Sequence, residues 1–133
     1  MANRVVHFEI QTSDPDKTIA FYKELFGWDF QKWEGSYPYW LIMTAPKDSK
    51  EMGINGGMLL RPGNVSPSDT QFVNAYVCTV GVESVDATLE KAVKLGGTVA
   101  MPKYAIAGMA WQAYCKDPEG NLFGIHQPDP TAK

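Results

Sequence analysis

One block of this chain is written twice. Asp16 to Gly27 reads as a helix closed by glycine, and Asp86 to Gly97 repeats that spacing at an offset of 70. Trp40 and Trp111 stand 71 positions apart, and Gly57 and Gly124 stand 67 apart. The drift between these offsets falls in loops. An internal repeat of this size means one supersecondary unit used twice, with each copy needing something to cover its apolar face. The competing reading is two unrelated α+β halves with similar helices.

Each copy reads as strand, helix and three strands. In the first, Val5 to Gln11 alternates as a strand does. Asp14-Pro15 supplies an N-cap carboxylate and a proline at the first helical position. Ile19, Tyr22, Leu25 and Phe26 form an apolar stripe at helical spacing, and Gly27 is placed to end the helix in a left-handed conformation. Strands follow over Trp28 to Trp33 and Tyr37 to Thr44, joined through Glu34-Gly35-Ser36, and then over Ile54 to Leu60. Pro62, Gly63, Asn64, Ser66, Pro67 and Ser68 break all periodicity, so 62–71 reads as a linker. The second copy runs from a strand over Phe72 to Val80 to a helix capped by Ser84, with Val85, Leu89, Ala92 and Val93 as its stripe. Gly96-Gly97 ends that helix. Strands are expected over Thr98 to Met101, Met109 to Lys116 and Leu122 to Gln127.

The implied fold is a single α+β domain over residues 1–133, with one βαβββ module at about 1–61 and another at about 72–127. Short connections favour antiparallel pairing among the last three strands of each module. A helix covers one face of each curved mixed sheet, so the other face needs the second module or a partner chain. Two such sheets would enclose a cleft, the default ligand site.

Composition excludes several classes. A net charge of −3 gives no basic excess for nucleic acid or an anionic membrane. No apolar run approaches the roughly 18 residues of a membrane span. Glu9, Asp14 and Asp16 interrupt any signal-peptide core. Cys78 and Cys115 are too few for a disulfide framework and read as reduced thiols of a cytoplasmic protein.

His7, Asp14-Pro15 and the run Phe21-Tyr22-Lys23-Glu24-Leu25-Phe26-Gly27-Trp28 resemble the opening module of the vicinal-oxygen-chelate superfamily, which holds glyoxalases, extradiol dioxygenases and bleomycin-resistance proteins. Gly81-Val82, Val85-Asp86, Gly96-Gly97 and Asp117-Pro118-Glu119-Gly120-Asn121 resemble its second module. The resemblance covers essentially the whole chain. It implies paired βαβββ modules in a homodimer. It also implies metal ligands at His7, at or near Gly57, at Val77 and at Gly124. Only His7 can ligate a metal. A catalytic metal needs about three protein ligands, and glyoxalase I chemistry further needs a carboxylate on the metal. We therefore expect no cofactor, and neither glyoxalase I nor extradiol dioxygenase activity.

Alternation puts His7 and Glu9 on one face, and Gly124 and His126 on one face. His7, Glu9 and His126 are the set from which a rearranged divalent-metal site would be built. The bland alternative is hydrogen-bonded lining residues. His7 and Glu9 are the candidate acid/base pair. Trp40, Gly57, Trp111, Tyr114, Gly124 and His126 are the candidate ligand-binding residues, the aromatics serving to stack on a flat or cationic ligand. Core packing is the alternative for the rings, and the face carrying Trp111 stays open. Glycine at 57 and 124 would enlarge the cleft floor. Lys103 to Ala110 reads as a lid hinged at Gly108 or as an ordinary hairpin. Three functions follow. One is a metal-independent lyase or isomerase acting on a small organic substrate. The second is a protein that sequesters a drug or metabolite without chemistry. The third is an accessory partner whose cleft is vestigial.

Overall fold

In a computed structural model, residues 5–35, 37–61, 63 and 77–133 are described. The chain divides into two compact units, residues 1–66 and 67–133. The linker expected over 62–71 lies outside the described residues apart from Gly63, as do Ser36 and residues 72–76 of the expected fifth strand.

The first unit runs β1 (Phe8–Thr12), α1 (Pro15–Phe26), β2 (Asp29–Trp33), β3 (Tyr39–Met43) and β4 (Gly56–Leu60). The second runs β5 (Cys78–Gly81), α2 (Val85–Lys94), β6 (Thr98–Ile106), β7 (Ala110–Lys116) and β8 (Leu122–Pro128). The sheet orders are β1-β4-β3-β2 and β5-β8-β7-β6, the same arrangement twice. In each, the first strand pairs parallel with the fourth and the remaining pairs are antiparallel. The registers repeat as well, since Glu9 pairs with Gly57 and Thr79 with Gly124. The βαβββ repeat is therefore real down to individual residue pairs.

Helix α1 starts where Asp14 accepts the Lys17 N–H at 3.2 Å, with proline next in line. It stops at Gly27, whose φ of 73° is left-handed. Its buried residues are Thr18, Phe21 and Tyr22. The core stripe is thus rotated from the expected Ile19 and Leu25, which are half-buried. Thr18 is tolerated inside because its hydroxyl bonds Thr12 of β1 at 2.8 Å. Trp28 lies flat on Tyr22, with centroids 5.1 Å apart, and Phe8 packs on Trp28. Ile42 and Met58, both fully buried, complete this side of the first sheet.

Helix α2 is capped by Ser84, which accepts the Ala87 N–H at 3.1 Å. Val85 and Ala92 pack with Ala113, Cys115 and Ile125, all fully buried. Burial pushes the Cys115 thiol up to about 11. Val93, expected in the stripe, is exposed. Strand β6 is longer than expected and absorbs Lys103 to Ile106. Gly108, at φ 74°, then turns the chain into β7, and its N–H reaches Ala132 O at 2.8 Å. The segment Lys103 to Ala110 is therefore a hairpin pinned by the C-terminal residues, not a lid. In the Asp117-Pro118-Glu119-Gly120-Asn121 turn, the Asp117 carboxylate accepts the N–H groups of Glu119 and Asn121 at 2.9 Å each.

Candidate functional site

Each sheet has one face toward its helix and one face without a helix. In β1, Phe8, Ile10 and Thr12 face α1, so His7, Glu9 and Gln11 take the opposite side. The cross-strand register carries that side to Gly57 through Glu9, to Leu41 through Gly57, and to Tyr39 and Trp33.

Three polar side chains meet there. The Tyr39 hydroxyl donates to Glu9 Oε2 at 2.9 Å. His7 Nε2 lies 2.9 Å from the same hydroxyl oxygen. A phenol has one proton, and it goes to Glu9, so the His7 contact requires an N–H on Nε2. The order is His7 to Tyr39 to Glu9. Burial first, then the bond and charge of Glu9, push the Tyr39 phenol up to about 12, so it stays protonated at neutral pH. The tyrosine fits because position 57 is glycine: a Cβ there would run into the Tyr39 hydroxyl and ring.

The helix-free face of the second sheet carries Thr79, Gln112, Tyr114, Gly124 and His126 by register. His126 Nδ1 and Gln112 Oε1 are 2.8 Å apart. A Cβ on Gly124 would meet Thr79 Oγ1 at 2.7 Å, with Gln112 and Tyr114 at 3.1 Å. Tyr104 joins Tyr114 across the hairpin; burial first, then this hydrogen bond, raises the Tyr104 phenol.

Two expectations are corrected. The glycines do not open the floor, because Tyr39 occupies the space over Gly57, and Thr79, Gln112 and Tyr114 crowd Gly124. Trp40 and Trp111 lie on the helix-bearing faces, away from these groups. Trp40 pairs with Met58, and the Lys32 ammonium stands 5.5 Å from its ring centre. Trp111 donates its indole N–H to Asp129 at 2.9 Å. Lys103, which also bonds Asp86 of α2 at 2.8 Å, stands 4.4 Å from the Trp111 ring. His7 and Glu9 do come together. Tyr114, Gly124 and His126 share a face in the second unit. The sequence marks Tyr39 only as one of a cluster of aromatics around the third strand, and Gln112 only as sharing a face with Tyr114. That Tyr39 meets His7 and Glu9, and Gln112 meets His126, is set by cross-strand register and is not legible within one strand.

The metal positions implied by the sequence do not fit a divalent ion. Gly57, Val77 and Gly124 offer no side-chain donor. His7 spends its Nε2 on Tyr39, whose phenol takes the space a ligand from position 57 would use. Of the rearranged set, His7 and Glu9 belong to the first unit and His126 to the second. Among the described residues, no three His, Cys, Asp or Glu gather as a metal group.

Comparison with known proteins agrees with the repeat. The chain is 28% identical over 129 residues to a Vibrio cholerae protein named as a probable lactoylglutathione lyase, covering 94% of this chain and 91% of that one. It is 27% identical over 125 residues to a Mycobacterium tuberculosis protein named as a glyoxylase, CFP32, covering 90% of this chain and 43% of the relative. The chain thus spans less than half the length of that mycobacterial protein. The fosfomycin resistance protein FosX of Listeria monocytogenes superposes with a TM-score of 0.70 at 20% identity, over 97% of this chain and 94% of that chain. A variant of FosX has been crystallised with Mn(II). The model of the Glyoxalase/Bleomycin resistance protein/Dioxygenase superfamily matches residues 4–125. With its paired βαβββ registers and this match, the chain belongs to the glyoxalase/bleomycin resistance/dioxygenase superfamily.

Proposed function

We propose that this protein binds a small organic ligand on the helix-free face of its first sheet and moves a proton on it without a metal, as a lyase or isomerase. The observation that carries this reading is the meeting of His7 and Glu9 on the one hydroxyl of Tyr39. A carboxylate fixed by a phenol is a positioned general base. Glu9 would take the proton from a carbon beside a carbonyl and return it to the other face or to a leaving group. Tyr39 orients Glu9, and His7 orients Tyr39. The reading departs from the activity named for the Vibrio relative, because the metal-held carboxylate of that chemistry has no counterpart at Gly57 or Gly124.

The second reading, sequestration of a drug or metabolite without chemistry, is favoured by one observation. Trp33 and Tyr37 are exposed beside Tyr39 and pack edge to face on each other. A cytoplasmic homodimer is part of the proposal and draws on the superfamily resemblance. Among the described residues no helix is long and apolar enough to cross a membrane. Sedimentation at micromolar concentration tests the dimer, and a single monomeric species would reject it.

Deuterium exchange separates the two readings. The protein is incubated in chelator-treated D2O with a panel of enolisable carbonyl compounds. Wild type should wash deuterium into the carbon beside the carbonyl, and Glu9→Gln should be slower by about 10²-fold or more. Exchange undiminished in Glu9→Gln would remove Glu9 from the chemistry. Binding without exchange would leave the sequestration reading standing.

A further inference from the structure

Three rings crowd the end of the β2–β3 ribbon. Trp33 and Tyr37 have centroids 5.5 Å apart at 61°, Trp33 and Tyr39 are 6.4 Å apart at 82°, and Tyr37 and Tyr39 are 6.1 Å apart at 85°. Three rings that are mutually steep and about equally spaced can stand as the walls of a box corner.

We propose that Trp33, Tyr37 and Tyr39 form a binding corner for a quaternary or N-methylated ammonium group on a small organic ligand. This rests on the reading that the helix-free face of the first sheet is the ligand face, and it names the ligand's chemical class.

Four observations support a cation rather than a neutral apolar group. First, the chain supplies its own ammonium to its other half-buried tryptophans: Lys32 stands over Trp40 and Lys103 over Trp111. Among the described residues, no lysine or arginine stands over Trp33, Tyr37 or Tyr39. Second, these rings are left in the open, with Trp33 43% and Tyr37 54% exposed. Third, two of the rings rest on glycines that leave them no competitor. A Cβ at Gly35 would run into the Trp33 ring, and one at Gly57 into the Tyr39 ring. Rings seated this way lose little freedom when a ligand arrives. Fourth, Tyr39 donates its proton to the Glu9 carboxylate. That bond pushes electron density into the ring and sets an anion beside the corner, and both strengthen the pull on a cation.

A quaternary ammonium suits the corner better than a bare one. Its methyl groups gain from leaving water, whereas a primary ammonium loses hydrogen bonds that aromatic faces do not replace.

The test uses the full chain and three probes: choline, its neutral isostere 3,3-dimethylbutan-1-ol, and ammonium chloride. The readout is the indole N–H resonance of Trp33, assigned with Trp33→Phe. The resonance of buried Trp28 reports whether a variant has folded. Choline should shift the Trp33 resonance saturably. The neutral isostere should bind about tenfold more weakly, ~1.4 kcal/mol, and ammonium should leave the resonance in place. Tyr37→Leu and Gly35→Ala should each weaken choline binding, read at Trp33, about tenfold with the Trp28 resonance unmoved. Tyr39→Phe keeps the ring and loses the hydroxyl, so it should still bind choline saturably, more weakly than wild type, while losing the deuterium exchange that depends on Glu9. Equal binding of choline and its isostere, or no movement of Trp33 at saturating choline, would overturn the corner. Neither result bears on deuterium exchange, so the two proposals fail separately.

Discussion

A Cβ at position 57 would collide with the Tyr39 ring. Glycine at this position is therefore the reason a phenol can lie between His7 and Glu9. Gly57→Ala should displace that ring and cost about 1–3 kcal/mol as overpacking does, measured by urea unfolding. The same displacement should release the phenol. In wild type, spectrophotometric titration at 295 nm should show one tyrosine still protonated at pH 11, because burial and Glu9 push Tyr39 up to about 12 from an ordinary 10.0. Tyr39→Phe should remove that late step. The sign for stability follows from the raised value. Folding favours the protonated phenol, so its contribution is intact below pH 10 and is lost as pH rises from 10 to about 12. A wild-type curve identical to that of Tyr39→Phe would show that the hydroxyl is not tied to Glu9. From sequence, His7 and Glu9 are legible as a pair because they sit two apart on one strand. Tyr39 is not, because its place depends on which residue of β4 stands opposite Glu9.

The elements that sequence reads well are those whose signals are local. Asp14-Pro15 and Gly27 bracket α1 because a cap and a left-handed stop act within one turn. Asp14→Ala should cost about 1 kcal/mol, seen as a shift of the urea midpoint with an unchanged slope. Loss of less than about 0.3 kcal/mol would mean the cap is replaced by water. The turn from Asp117 to Asn121 is legible for the same reason, since one carboxylate satisfies its own neighbours. Helix faces are read less well. Thr18 is buried because Thr12 of β1 answers its hydroxyl from the sheet beneath the helix, a partner no helical period reveals. Strand β6 outruns its expected end because register shifts between Val99 and Tyr104 let Pro102 stay in the strand. Trp40 and Trp111 stand among the candidate ligand residues with the face of Trp111 left open by sequence, and cross-strand register puts each on the helix side.

At the scale of the whole molecule, the two units share one plan and differ in what stands at equivalent positions. Glu9 beside Gly57 in the first is Thr79 beside Gly124 in the second. The repeat survives in the registers while the polar groups at these positions differ, and the function proposed above gives this face of the first unit a proton-transfer role in place of a metal. We propose that Tyr39 holds the place of a metal ligand and keeps His7 and Glu9 for proton transfer. Zinc titrated into the full chain, followed by the His7 ring resonances, tests it most directly. No saturable change is expected at His7 at one equivalent, and deuterium exchange should survive a chelator. A one-to-one shift of the His7 resonances, lost in His7→Ala and accompanied by metal-dependent exchange, would contradict it.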